Sequence, residues 1–217
     1  MELTLIQKIS IGILPILLAI TVHEVAHGWV ADRLGDRTAR LAGRLTLNPI
    51  KHIDPIGTLI LPLAMYAFTG FVFGWAKPVP VDPRNLTSPR RDMAFVAVAG
   101  PASNLIMAFG WAVLMALGVH GMGQGSWYGE PLALMAQIGV FVNLLLMVFN
   151  LLPIPPLDGG RVLVSAVPPR IAAQIERIEP FGFIILLVLL FTGVLSMTIL
   201  PIMSQMMTFL YGLVGLR

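Results

Sequence analysis

"AITVHEVAHGWVA", residues 19–31, sets two histidines and a glutamate inside an otherwise apolar run. The pattern is His-Glu-x-x-His: His23, Glu24 and His27. Residues four apart share a helix face, so both imidazoles point to the same side. Two neutral imidazole nitrogens at that spacing can bind one Zn²⁺. Glu24 stands beside His23, where its carboxylate can take a proton from a water held at a metal. From Ile9 to Ala31 no other residue is ionisable. A run of this length spans a hydrocarbon core of about 30 Å. A charged carboxylate at the centre of such a helix costs about 2.5–3.5 kcal/mol on insertion scales. Three ionisable residues in five therefore mark a buried polar site rather than a chance match.

Composition places the rest of the chain in the same environment. Of 217 residues, 57% are apolar and 12% charged, against about 25% charged in soluble domains. The reading is an all-α polytopic membrane protein whose surroundings are the lipid bilayer. There is no cysteine, which excludes disulfides, thiolate ligands and iron–sulfur clusters. The net charge of +3 needs no nucleic-acid partner, because basic residues gather in cytoplasmic loops of membrane proteins. The first apolar run leads into the His-Glu pair and not into a small-residue cleavage site, so no cleavable signal peptide is expected.

The spans follow from the charge pattern. Residues 93–119 and 132–152 are charge-free, and 181–216 is one long apolar run. With the first span these predict about four full transmembrane helices. The last run would extend about 54 Å as a single helix, so it is a span plus an interfacial piece or a hairpin broken near Pro201. Loops 32–54, 76–92 and 161–180 hold nearly all Lys and Arg, and linker 120–131 holds none. The three basic loops are accordingly assigned to the cytoplasm. Residues 56–75 are apolar but interrupted by Gly57, Pro62, Gly70 and Gly74. They are expected to re-enter the membrane as a hairpin-like segment, which requires burial in protein or a cavity wall. "TARLAGRLTLNP" (38–49) has strand-like pieces, and proline-rich "AKPVPVDPRNLTSPRRD" (76–92) reads as an extended segment or hairpin. The whole of 1–217 is expected to be one membrane-embedded domain, with a core at 9–165 and a C-terminal helical region at 181–217.

A catalytic zinc needs a third protein ligand and an open position. His52 lies in a basic loop, and His120 falls on the presumed outer side. Asp32, Asp36 and Asp54 sit among basic residues and read as solvated charges. Asp158 differs, because it lies in "NLLPIPPLDGG" (150–160) directly after an apolar span. Pro153, Pro155 and Pro156 stop the helix, and Gly159 and Gly160 free the backbone. Such a broken-helix loop can turn a carboxylate inward, although an ordinary aspartate at the membrane surface has the same spacing. Asn104 and Asn150 read equally as interhelical glue or as catalytic groups, and Asn143 and Gln137 as packing residues.

Three motifs in this order, "HEVAH" (23–27), "GPASN" (100–104) and "NLLPIPPLDGG" (150–160), resemble the site-2 protease family of intramembrane zinc metalloproteases. "LAGRLTLNPIKHIDPIGTL" and "GWAKPVPV" look like its compact bacterial and archaeal branch. The resemblance covers residues from about 20 to 165. It implies one Zn²⁺ per chain held by His23, His27 and Asp158, with Glu24 as general base. It also implies that Asn150, with Asn104, contacts substrate or the oxyanion. The implied reaction is hydrolysis of peptide bonds within or near transmembrane segments of membrane-protein substrates. The implied location is the cell membrane, multi-pass, with the active site toward the cytoplasmic half. His23 lies about 13 Å along a helix from Asp32, and Asn104 about 19 Å from Arg91, which suits that depth. The sequence departs from longer members in having no span before the His-Glu helix, and no PDZ or CBS domain is expected. Val79 and Val81 are candidates for an edge that pairs with an extended substrate. A metal transporter or a proteolytically inactive zinc scaffold are the rival readings. No sequence feature specifies an oligomeric state.

Overall fold

The computed structural model describes residues 4–69 and 74–216. Helix α1 (Leu5–Arg33) opens with a capping box, in which Thr4 Oγ1 accepts from Gln7 N at 3.3 Å and Gln7 Oε1 accepts from Thr4 N at 2.9 Å. It ends at Leu34 and Gly35, the latter at φ +114°. A one-turn helix α2 (Thr38–Leu41) follows, and then α3 (Leu61–Thr69), which continues a π-helical turn at Pro55–Ile60. Helices α4 (Pro89–Gly123) and α5 (Gly129–Asn150) form an antiparallel pair. Short helices α6 (Asp158–Ala166) and α7 (Pro169–Glu176) lead to α8 (Gly182–Phe191) and α9 (Val194–Leu213).

Among the described residues, α1, α4, α5 and α9 are long and apolar enough to cross a membrane. The chain is a multi-pass membrane protein. Its core lies between α4, α5 and α9, around Trp111, Val140, Leu144, Ile199 and Met203. In lipid the hydrophobic effect does not press helices together, so close packing and small residues do this work. Gly139 faces the Trp111 indole so closely that a methyl group there would overlap the ring. Large apolar side chains such as Ile106 and Phe109 remain exposed on the outer faces of the bundle.

The three basic segments meet at one end of the bundle. Thr87 N and Oγ1 both donate to Leu34 O, at 3.1 and 3.0 Å. Asp82 N and Asn85 Nδ2 donate to the Asp36 carboxylate, at 2.7 and 3.0 Å. Arg90 Nη2 reaches Val164 O at 3.3 Å. The linker between α4 and α5 lies at the opposite end and holds no Lys or Arg. The segments flanking 56–75 are thus joined to each other directly.

Several expectations change. Among the described residues no strand forms. Residues 38–41 are helical because Asp36 Oδ1 accepts from Thr38 N and Oγ1, which starts a turn, and no second strand lies alongside. Asp36 is not a solvated charge but fully buried. Burial pushes its carboxyl up, yet hydrogen bonds from Thr38, Asn85 and Asp82 outweigh this and hold it below the usual carboxylate range. His52 is also buried, and its Nε2 donates to Thr46 O at 2.9 Å. The C-terminal run breaks at Gly193, not near Pro201. Gly193 adopts φ +78°, a left-handed conformation that ends α8, whereas Pro201 is accommodated inside α9. Residues 74–82 adopt no regular secondary structure and form no hairpin. Gly70, one of the predicted interruptions in the re-entrant segment, lies outside the described residues.

Candidate metal centre

The site is built by two helix stripes that cross-read each other. On α1, Ala19, His23 and His27 recur every fourth residue, and on α4 Val96, Gly100 and Asn104 do the same. The helices are antiparallel, so the stripes pair in reverse order. His27 Nδ1 lies 2.7 Å from Val96 O, His23 Nδ1 lies 2.6 Å from Asn104 Oδ1, and Asn104 Nδ2 donates to Ala19 O at 3.2 Å. Gly100 sits between the two imidazoles. A Cβ there would stand 2.6 Å from His23 Cε1 and 2.6 Å from His27 Cε1, closer than real contacts allow. Only glycine lets α4 come near enough for its neighbours to hold both rings. The "GPASN" motif therefore reads as one spacer and one hydrogen-bonding partner for the histidine pair.

Asp158 arrives from the other direction, as the first residue of α6. Gly159 lies against the Leu151 and Leu152 carbonyls, and Gly160 against Ile154 and Pro155. Neither position has room for a side chain, so the two glycines fold the start of α6 tightly onto the proline-rich turn. This brings Asp158 Oδ2 to 3.3 Å from His23 Nε2 and 3.3 Å from His27 Nε2. The two Nε2 atoms are 3.0 Å apart.

The donor set fits a zinc ion. Each Nδ1 faces a carbonyl-type oxygen, so each Nδ1 carries the proton and each Nε2 presents a lone pair. Asp158 Oδ2 is buried and has no hydrogen-bond partner among the described residues. Three acceptor atoms thus converge with no proton between them, an arrangement that repels itself and suits a cation. Ligands bound about 2.0–2.1 Å from a tetrahedral Zn²⁺ stand about 3.3–3.4 Å from each other, close to the spacings found here.

The remaining expected residues fall in distinct places. Glu24 lies one residue beyond His23, and its Oε2 accepts from Val79 N at 2.8 Å. The Val79 amide is therefore committed to Glu24 and unavailable for pairing with a substrate strand. Lys77 N is likewise used by His52 O at 2.9 Å, and Trp75 N by Gly57 O at 3.0 Å. Asn104 is fully buried, with its amide spent on Ala19 and on Asn143 Oδ1 at 2.9 Å. Asn150 closes α5 and its Nδ2 donates to Leu146 O at 2.9 Å. His120 lies in the last turn of α4, about 24 Å from Asn104 along the helix. Sequence reading missed three partners: the Val79 amide, the Val96 carbonyl and Asn143. The two backbone groups leave no trace in residue identity. Asn143 was visible as a polar residue in a membrane span, but its partner was not.

Comparison with known proteins agrees with this chemistry. Residues 118–193 match the model of peptidase family M50. Two relatives share the name "Putative zinc metalloprotease". The chain is 42% identical over 193 residues to YwhC of Bacillus subtilis (strain 168), covering 88% of this chain and 85% of that protein. It is 33% identical over 184 residues to Rip2 of Mycolicibacterium smegmatis, covering 83% of this chain and 66% of that protein. No solved structure gives a match. With a membrane-embedded His-Glu-x-x-His helix, a convergent aspartate and relatives of this kind, the chain belongs to peptidase family M50, the site-2 protease family of zinc metalloproteases.

Proposed function

We propose that the protein hydrolyses peptide bonds within or near transmembrane segments of membrane-protein substrates, with His23, His27 and Asp158 as zinc ligands and Glu24 as general base. The convergence of three acceptor atoms at 3.0–3.3 Å carries this reading. Zn²⁺ bound there supplies Lewis acidity toward a carbonyl oxygen and makes water more acidic. Glu24 takes a proton from the attacking water and returns it to the leaving amine. One of its oxygens is anchored by the Val79 amide, which fixes the carboxylate and leaves the other oxygen for the proton. Asn150 has a second N–H beyond the one given to Leu146, and it directly precedes the turn against which Gly159 packs. It is the donor assigned to the developing oxyanion. Asn104 acts differently from the expectation that it contacts substrate. Its donors are occupied and it is fully buried, so its role is to hold His23.

The start of α6 borders an open groove, which is assigned here as the approach for water and substrate. The groove, of about 550 Å³, is lined by residues including Val81, Met93, Pro155, Pro156, Gly160 and Arg161. The end of the bundle that carries the basic segments is assigned to the cytoplasm, in the cell membrane. The hydrogen bonds joining Leu34 and Asp36 to residues 82–87 support a 56–75 segment that enters and leaves from that same face. The chain contains no cysteine, so Arg37→Cys and Arg84→Cys are clean labelling sites. Both are expected to react with an impermeant maleimide from the cytoplasmic side only, and labelling from opposite sides would overturn this topology.

The function is tested with purified protein in detergent and a model transmembrane substrate. Cleavage is expected to disappear on chelation and to return when zinc alone is restored. Cleavage that persists in protein shown to be zinc-free would refute the reading.

A further inference from the structure

Asn104 can hold His23 in a metal-binding form only if it faces the ring with its oxygen. An asparagine side chain has two ends of nearly equal shape, an acceptor oxygen and a donor NH₂. If the NH₂ end faced His23 Nδ1, that nitrogen would have to accept. The ring proton would then sit on Nε2, where it would block ligation. Something must therefore decide which end of Asn104 points which way.

The decision traces back to two main-chain carbonyls. Asn143 Nδ2 donates to Gly139 O at 2.8 Å, four residues earlier on α5. A carbonyl oxygen cannot donate, so the NH₂ end of Asn143 is committed there and its oxygen faces Asn104. That oxygen accepts from Asn104 Nδ2 at 2.9 Å, and Ala19 O accepts from the same nitrogen at 3.2 Å. Both demand a donor, so the oxygen of Asn104 faces His23 at 2.6 Å. Asn104 and Asn143 are both fully buried, so no water competes for these positions. His27 needs no such device, because its Nδ1 meets the Val96 carbonyl directly.

We propose that Asn143 is a positioning residue for the metal site: through Asn104 it fixes the tautomer of His23 and aims the Nε2 lone pair at the ion. The inference rests on the assignment of His23 as a zinc ligand. It gives α5 a part in metal binding, although α5 contributes no ligand. Asn143→Leu removes the nearer of the two acceptors that orient the Asn104 amide and leaves only the longer contact to Ala19 O to oppose its turning over. Asn143→Asp restores the pattern as a neutral acid, with its O–H on Gly139 O and its carbonyl on Asn104. Burial in an apolar bundle favours that neutral form.

The test uses the full chain in detergent micelles with ¹⁵N-labelled histidine, first metal-free and then in a zinc competition against a chelator. In wild type, His23 and His27 are both expected to be protonated on Nδ1. In Asn143→Leu, His23 is expected to populate both tautomers while His27 stays unchanged. Zinc affinity is expected to fall about tenfold, the low end of the range for outer-shell partners, and Asn143→Asp should recover most of it. A folded Asn143→Leu protein with unchanged His23 signal and unchanged affinity would overturn the proposal. So would a wild-type His23 protonated on Nε2, which decides the matter even if the leucine variant does not fold. A wild-type protein that binds zinc without involving His23 would instead remove the ligand assignment beneath it.

Discussion

A Glu24→Gln protein is expected to retain one zinc ion per chain and to cleave a model transmembrane substrate about 10²–10⁴-fold more slowly than wild type, the range for loss of a positioned general base. Glutamine has the same shape and keeps an oxygen for the Val79 amide, so the contact between α1 and the 74–82 segment survives. The two histidines and Asp158 are untouched. What is lost is a carboxylate able to accept a proton. The measurement is zinc content beside initial cleavage rate, on the same preparation. Equal cleavage would end the proposed role of Glu24. A metal carrier predicts instead a zinc flux indifferent to this substitution, so flux in vesicles separates the two.

Gly100→Ala is expected to lower zinc affinity by at least about 10–100-fold, the loss typical when the groups around metal ligands are disturbed, and to reduce cleavage at least as much. The added methyl would occupy space taken by both imidazole rings. Either α4 retreats, and the Val96 and Asn104 partners withdraw from the histidines, or the rings leave their positions opposite Asp158. Overpacking of this kind also costs about 1–3 kcal/mol of stability. Gly110→Ala is the control on the same helix. A Cβ there meets nothing within 4 Å, and zinc affinity should be unchanged. Equal affinities for the two variants would show that close approach at Gly100 does not matter.

The parts of the fold readable from sequence are those set by local rules. The first, fourth, fifth and ninth helices follow from apolar runs bounded by charge, and the histidine spacing follows from helix period. Asp158 needed more than its spacing, because a broken helix end can face either water or protein. The Gly-Gly pair that turns it inward works through contacts with Leu151 and Ile154. Asp36 read as solvated because four arginines lie within eight residues of it. Its burial depends on donors about 46 residues or more further along the chain, at Asp82 and Asn85. The break at Gly193 was masked by Pro201, the stronger helix breaker by residue type, which here lies inside α9 on an exposed face. Asn143 was assigned to packing because its residue type could not reveal which acceptor it presents, or to whom.

The order of the ligands along the chain sets a clock. His23 and His27 lie on α1, whereas Asp158 follows roughly 130 residues later. At about 5–20 residues per second, the ribosome reaches Asp158 about 7–26 s after the histidines. During that interval the nascent chain holds two of the three proposed ligands, and the α4 residues that steady them appear only partway through. A cutting centre that worked earlier would stand beside its own half-assembled helices in the same bilayer. Dividing the site between α1 and the start of α6 delays competence until α4 and α5, which pack around it, have been made.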